Sequence, residues 1–361
     1  MKKVIVGMSG GVDSSVAAYI LKQQGYDVTG VTMQIWQDET EECQSENGGC
    51  CGLSAVEDAR RVANMLGIPY YLMNFKDDFR RSVIDYFVEE YRNGRTPNPC
   101  IACNRYVKWE SLLLRSLQIG ADFIATGHYA KIRRMENGRL SVCRSVTDKK
   151  DQTYALYSLT QEQLAHTIMP IGDYTKDEVR LIAEKAGLPV AHKRDSQEIC
   201  FIPDHDYASF VETYQDEAIR QAMTKSGNFV DNDGNVLGTH QGITHYTIGQ
   251  RKGLGLAFGK PVFVTEIRTD TNEVVIGPES DLMKKEVRAC HLNFMSEIPD
   301  GSKRRVTAKI RYNHAGAPAE FCRTGEDTMT VVFDEPQRAP APGQALVVYE
   351  DDHILGGGTI V

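Results

Sequence analysis

The opening stretch "MKKVIVGMSGGVDSS" constrains the fold more than any other part of the chain. A short apolar run, "VIVGM", passes through two glycines into a segment with Val16, Ala17, Ile20 and Leu21 at helical spacing, stopped by Gly25. A buried strand that turns through glycine into a helix begins a βαβ unit. The turn also has chemistry. The first N–H groups of a helix have no partner inside it, and glycines let a ligand approach the backbone, so an anion site is expected. The string lacks the Lys-Ser/Thr ending of a Walker loop and the third glycine of a dinucleotide fingerprint. A plain βα turn is the alternative.

Strand and helix patterns alternate from there. "YDVTGVTMQIW" and "PYYLMNF" read as strands, as does "ADFIATGHYA", which ends in a polar loop. "SAVEDARRVANMLGI" reads as a helix with Ser54 as N-cap and Glu57 completing a capping box. "WESLLLRSLQIG" and "TKDEVRLIAEKAGL", the latter capped by Thr175, are further helices. The first half is therefore an α/β domain, a parallel sheet with helices on both faces. After about residue 207 the texture changes. Residues 227–264 are glycine-rich, and from about 262 short β runs such as "PVFVTEIR", "RVTAKIRY" and "ALVVYE" predict a small barrel or sandwich. With 361 residues, three domains are expected: 1–207, a small central 208–265, and a C-terminal β-barrel 266–361.

The net charge of −8 argues against a protein coated in nucleic acid, although "KIRR" at 131–134 and "SKRRVTAKIR" at 302–311 leave room for a local basic face. No apolar run is long enough for a bilayer, and the N-terminal apolar stretch is too short for a signal peptide, so a cytoplasmic location is expected. There the nine cysteines are not a disulfide scaffold. Cys143 and Cys322 lie in strand-like runs and read as packing; Cys290 is ambiguous; Cys43, Cys50 and Cys51 read as bystanders in a loop. Cys100 and Cys103 in "NPCIACN", and Cys200 in "DSQEICFI", stand in polar, turn-like contexts, and both segments are expected at the carboxyl edge of the sheet. Such thiols can hold a metal, shuttle a disulfide or carry sulfur.

The Ser-Gly-Gly-Val-Asp-Ser string after the first strand resembles the pyrophosphate-binding loop of the PP-loop ATP pyrophosphatases, which activate an oxygen by adenylation. With "TPNPCIACNRYVKW", "ATGHYA", "KDQTYALYSL", "RDSQEICFI", "YTIGQRKGLG", "KIRY" and "LGGG", the order and spacing resemble the bacterial tRNA-specific 2-thiouridylases over essentially the whole chain. These enzymes replace the 2-oxygen of the wobble uridine, in the anticodon loop, with sulfur.

The resemblance implies roles. Gly7, Met8, Ser9, Gly10, Gly11, Val12, Asp13 and Ser14 would bind ATP, with Met33 bordering adenine and Gly127 bordering the nucleotide. Asp13 would meet Mg²⁺, which favours oxygen ligands. Asn98, Pro99 and Cys100 would line the flipped base. His128, Lys150, Asp151, Gln152, Arg311, Tyr312 and Gln344 would contact the tRNA, with Arg304, Arg305 and Lys309 neutralising phosphates, while "IGQRKGLG" with Arg251 and Lys252 suits a mobile basic loop or a plain solvated turn. ATP would adenylate the uridine O2, and sulfur would then displace AMP. In a persulfide cycle Cys200 carries the sulfur and Cys103 is its partner. One departure bears on this: many members have Asp where this chain has Cys100. Three thiolates can hold a [4Fe-4S] cluster with one open iron, and the sequence favours that cluster over the persulfide cycle. Zinc lacks a fourth ligand, and a plain redox pair also stays open. The sulfur donor is a relay protein, a cysteine desulfurase or sulfide; neither membrane nor DNA is an expected partner. Two rivals remain. Another PP-loop ligase acting on a small metabolite leaves the cysteines unexplained, and a non-enzymatic metal-bearing RNA-binding module leaves the ATP loop idle.

Overall fold

The computed structural model describes residues 1–35, 53–195, 199–202, 206–214 and 225–361. Cys43, Cys50 and Cys51 lie outside the described residues. The chain forms two compact units, one of Met1–Val83, Pro99–His205 and Asp352–Ile354, the other of Ile84–Asn98, Asp206–Asp351 and Leu355–Val361.

The strands of the first unit are β1 (Lys3–Gly7), β2 (Asp27–Gln34), β3 (Tyr70–Asn74), β4 (Phe123–Ala125), β5 (Ala130–Arg134), β6 (Leu140–Arg144) and β7 (Thr167–Ile168). Five of them make a parallel sheet in the order β3-β2-β1-β4-β7. Val4 and Val6 are buried on one face and Ile5, pointing the other way, on the opposite face, so helices cover both sides. Helices α1 (Val12–Gln23) and α2 (Leu53–Leu66) and the helix Lys176–Lys185 share one core through Val16, Leu21, Val62 and Val179. The strand order reverses between β1 and β4. That reversal places the loops leaving β1 and β4 side by side at the carboxyl edge, where open α/β sheets bind ligands.

Two local readings shift. Ser54 is not an N-cap, because α2 already begins at Leu53. Cys100 and Cys103 lie on helix rather than in a turn. A continuous helical run starts at Pro99, whose fixed φ suits a first helical position, and continues to Gln118; its middle, Cys103–Leu112, is wound in the wider π form. Thr175 does cap its helix, in a capping box with Glu178.

In the second unit, strands Gly227–Val230, Val236–His240, Phe263–Arg268 and Glu273–Gly277 form one sheet around Phe229, Val264, Val274 and Ile276. A division at residue 265 cuts the strand Phe263–Arg268. The strands Met283–Phe294, Thr328–Arg338, Ala317–Gly325, Lys303–Lys309, Ala345–Glu350 and His353–Ile360 follow one another around a barrel, closed by pairing of the first with the last. Phe321, Val331, Phe333, Leu346 and Val348 fill it.

Candidate active site

The anion site predicted after β1 is built as its residues require. Gly11 precedes α1 and no side chain caps the helix, so its first N–H groups are left for a ligand. Gly10 has φ +70°, and a Cβ there would stand 2.2 Å from the Ala55 carbonyl oxygen; no other residue fits. A Cβ on Gly127, in the loop after β4, would stand 2.6 Å from the Ser14 nitrogen. That contact seats the second loop on the start of α1. Ser15 Oγ donates to the Gly11 carbonyl at 2.8 Å and holds the turn closed.

Not every residue of the loop is left to bind ATP. The Met8 N–H donates to Val31, its carbonyl accepts from Thr32 Oγ1 at 2.7 Å, and its side chain packs over Gly30. The Ser9 N–H donates to Ser14 Oγ at 3.1 Å. Met8 and Ser9 are thus tied into the loop's own bonding, while the start of α1 at Val12 and Asp13 carries no side-chain cap. Met33 is half-buried at the end of β2, paired with Met73.

Asp13 has partners that the sequence did not disclose. Lys176 Nζ donates to both of its oxygens, at 2.8 and 2.9 Å, and Tyr129 Oη donates to Oδ1 at 2.7 Å. The same ammonium lies 2.7 Å from Asp195, which also holds Lys150 at 2.8 Å and Arg180 at 3.3 Å. Burial would raise the Asp195 carboxyl, but hydrogen bonds from Lys150 and Lys176 outweigh it and hold it below the ordinary carboxylate range. Burial, then the Asp13 charge, pushes the Tyr129 phenol far up, so it stays a donor. Lys176 thus joins the ATP loop to the segment that leads to Cys200 and, through Asp195, to Lys150. A carboxylate suits Mg²⁺ in kind, yet here the ammonium of Lys176 takes up both Asp13 oxygens.

The expected tRNA contacts divide. His128 Nδ1 lies 2.7 Å from Thr126 Oγ1, beside the Trp109 ring; burial, then Lys108, holds its pKa well below 6.5, so the ring is neutral. Gln152 is turned inward: its side-chain oxygen accepts from the Tyr129 N–H at 2.8 Å. Asp151 accepts from Thr153 at 2.6 Å. In the second unit, Gln344 donates to the Thr96 carbonyl at 2.9 Å, fixing the stretch that runs into Asn98 and Pro99. Tyr312 is exposed, and Arg311 donates to the Arg338 carbonyl at 2.8 Å. Arg304 and Arg305 face Glu350 and Asp334, which takes part of their charge away from a phosphate track.

The cysteines differ in environment. Cys100 is exposed, Cys103 is buried and Cys200 is half-buried, with the adjacent Phe201 ring edge-on to Phe79 at 5.6 Å. Among the described residues no group of three His, Cys, Asp or Glu side chains is placed to hold a metal ion. The cluster expectation, which needs Cys100, Cys103 and Cys200 together, is therefore unsupported. Burial raises Cys143 to about 11, consistent with a packing thiol.

The family models described as "tRNA methyl transferase HUP domain", "tRNA methyl transferase PRC-barrel domain" and "Aminomethyltransferase beta-barrel domain" match residues 2–204, 217–278 and 284–360. The chain is 63% identical over 363 residues to the tRNA-specific 2-thiouridylase MnmA of Lachnoclostridium phytofermentans, covering 100% of both chains. It is a tRNA-specific 2-thiouridylase family member. Identity to the MnmA proteins of Clostridioides difficile and Acetivibrio thermocellus is 57% over 360 residues in each case. Those matches cover 99% of this chain, and 98% and 99% of the relatives respectively. For a 2-thiouridylase, the residues that local sequence signals missed are Lys176, Tyr129 and Asp195. "TKDEVR" announced the helix, but nothing local announced a partner 163 residues away.

Proposed function

We propose that the protein is an ATP-dependent tRNA-uridine 2-sulfurtransferase acting on the wobble uridine. The observation that carries the reading is the uncapped start of α1, with glycine enforced at positions 10 and 127, in the same unit as a helix bearing Cys100 and Cys103. An adenylating loop and thiols carried by one unit are what a sulfur-for-oxygen exchange needs. Uridine O2 attacks the α-phosphorus of ATP and pyrophosphate leaves. Sulfur then adds at C2 and AMP leaves. The N–H groups of Gly10 to Asp13 hold the pyrophosphate, and Lys176, already at the loop, offsets its charge. Mg²⁺ arriving with ATP would meet Asp13 in competition with that lysine. Neutral His128 suits a hydrogen bond to RNA without adding charge.

For the sulfur we favour the two-cysteine route, which asks only for Cys103 and Cys200. The Cys103 thiolate attacks the inner sulfur of a Cys200 persulfide. Hydrosulfide is released toward C2, and a Cys103–Cys200 disulfide remains for a thiol reductant to open. Cys100 then stands where an acid/base carboxylate is common in the family. The iron–sulfur route is the second reading, supported only by that third thiol. Its test is iron and acid-labile sulfide in protein purified without oxygen, alongside tRNA thiolation by C100A, C103S and C200S. The two-cysteine route predicts no stoichiometric iron, and loss of thiolation with retained pyrophosphate release in C103S and C200S. Iron that disappears with any one of the three thiols would overturn it. Pyrophosphate release indifferent to tRNA would overturn the tRNA reading itself.

A further inference from the structure

The second unit contains a surface pocket of about 480 Å³ lined by Arg251, Pro261, Phe263, Glu279 and Arg338. No cysteine or ATP-loop residue lines the pocket. Its volume is within the range of small-ligand sites and suits one nucleotide.

Its central side chain is held unusually well for a surface arginine. Arg338 Nε donates to Glu279 at 2.8 Å, and Nη2 reaches the Gly249 carbonyl at 3.5 Å. The guanidinium lies over the Phe263 ring, 5.1 Å from its centroid, and Phe263 is itself buried. The backbone is fixed too. Arg338 pairs with Met283 in the barrel ladder, and its carbonyl accepts from Arg311. The next residue, Ala339, is held at φ +54°, in the left-handed region that a non-glycine residue rarely occupies. A planar cation held near an aromatic ring and pinned through Nε and Nη2 is a platform of the kind on which a base can stack. Nucleic-acid bases stack on arginine planes and aromatic rings of this kind. Arg251 is exposed and makes no ion pair among the described residues, so its charge is available to the phosphate of the same nucleotide.

We propose that this pocket binds one unpaired nucleotide of the tRNA other than the uridine that reacts, its base stacked on Arg338 and its phosphate met by Arg251. The inference rests on the tRNA-modifying reading above. Glu279 makes it testable by sign. As a mere negative charge near RNA, Glu279 would weaken binding, and E279Q would tighten it. As the clamp that orients the platform, Glu279 aids binding, and E279Q weakens it.

The experiment measures the affinity of full-length tRNA for wild type, R338K and E279Q by filter binding across a salt series, with a thermal melt of each protein. R338K keeps the charge and loses the plane. Its affinity should fall about tenfold with an unchanged salt slope, since stacking and not ion release is lost. E279Q, at an exposed carboxylate, should bind about threefold more weakly with an unaltered melt. Unchanged affinity in R338K, or tighter binding by E279Q, overturns the proposal. Wild type that fails to bind tRNA overturns the functional reading instead, and the two failures are told apart in the same assay.

Discussion

Replacing Lys176 with Met would remove one ammonium and leave two carboxylates facing its place. The stem of the side chain is kept, so packing changes little. Asp195 loses a contact at 2.7 Å but retains Lys150 and Arg180, so the main cost is carried by Asp13, which loses contacts at 2.8 and 2.9 Å. Lys176 is 13% exposed and Asp13 30%. Breaking a fully buried pair costs ~3–5 kcal/mol and an exposed one ~0.2–1 kcal/mol. This half-buried pair falls between, at about 2 kcal/mol. The loss should depend on pH. The Asp195 carboxyl lies below its ordinary 3.8 because the lysines outweigh its burial. Stability gained in that way is complete above the unfolded value and disappears as pH falls through the folded one. The gap between K176M and wild type, read from urea midpoints, should therefore be widest at neutral pH and lose the share carried by Asp195 as pH falls below 3.8. Equal midpoints at pH 7, or a gap unaltered by acid, would refute the shared-cation argument.

Other substitutions probe other joints of the site. G127A sets a methyl group against the backbone of Asp13 and Ser14, at 2.7 and 2.6 Å. Backbone cannot swing aside, so ATP affinity measured by calorimetry should fall by at least roughly tenfold, with about 1–3 kcal/mol of stability lost. Q344A removes donors to the Thr96 and Pro97 carbonyls. The tRNA-free protein should lose about 1 kcal/mol in a urea melt, whereas a residue that only touches RNA would leave that melt unchanged. Wild type should also lose stability as pH falls below 6.5, because the unfolded chain binds a proton that half-buried His128 refuses. H128Q should flatten that part of the profile, seen in melts between pH 7 and 5.

The legible parts were those with local causes. "VIVGMSGG" could be read as strand, turn and helix start because glycine, periodicity and an absent cap are properties of neighbouring residues. Thr175 was legible as a cap for the same reason, and Glu178 completes its box. Lys176, between them, was not: its role depends on carboxylates that the sheet order brings to it from Asp13 and Asp195. Gln152 and Gln344 carried family motifs, yet motif membership did not reveal that both side chains bond the protein's own backbone. The polar context of Cys100 and Cys103 suggested a turn. Pro99 instead opens the helix, because a first helical position needs no N–H. The runs "KIRR" and "SKRRV" looked like free positive charge; Arg133, Arg304 and Arg305 each face a carboxylate, from Asp352, Glu350 and Asp334.

The final strand, His353–Ile360, divides its loyalties. Asp352–Ile354 belong to the unit that begins at Met1, where His353 pairs with Cys143 and the Ile354 carbonyl accepts from Ser141 at 2.8 Å; Leu355–Val361 close the barrel. On the ribosome, the ATP-binding half therefore cannot complete its hydrogen bonding until residues 352–354 have been made and have left the exit tunnel. A stop before Asp352 would leave the barrel open and also strip the edge of the nucleotide-binding half, disabling both at once.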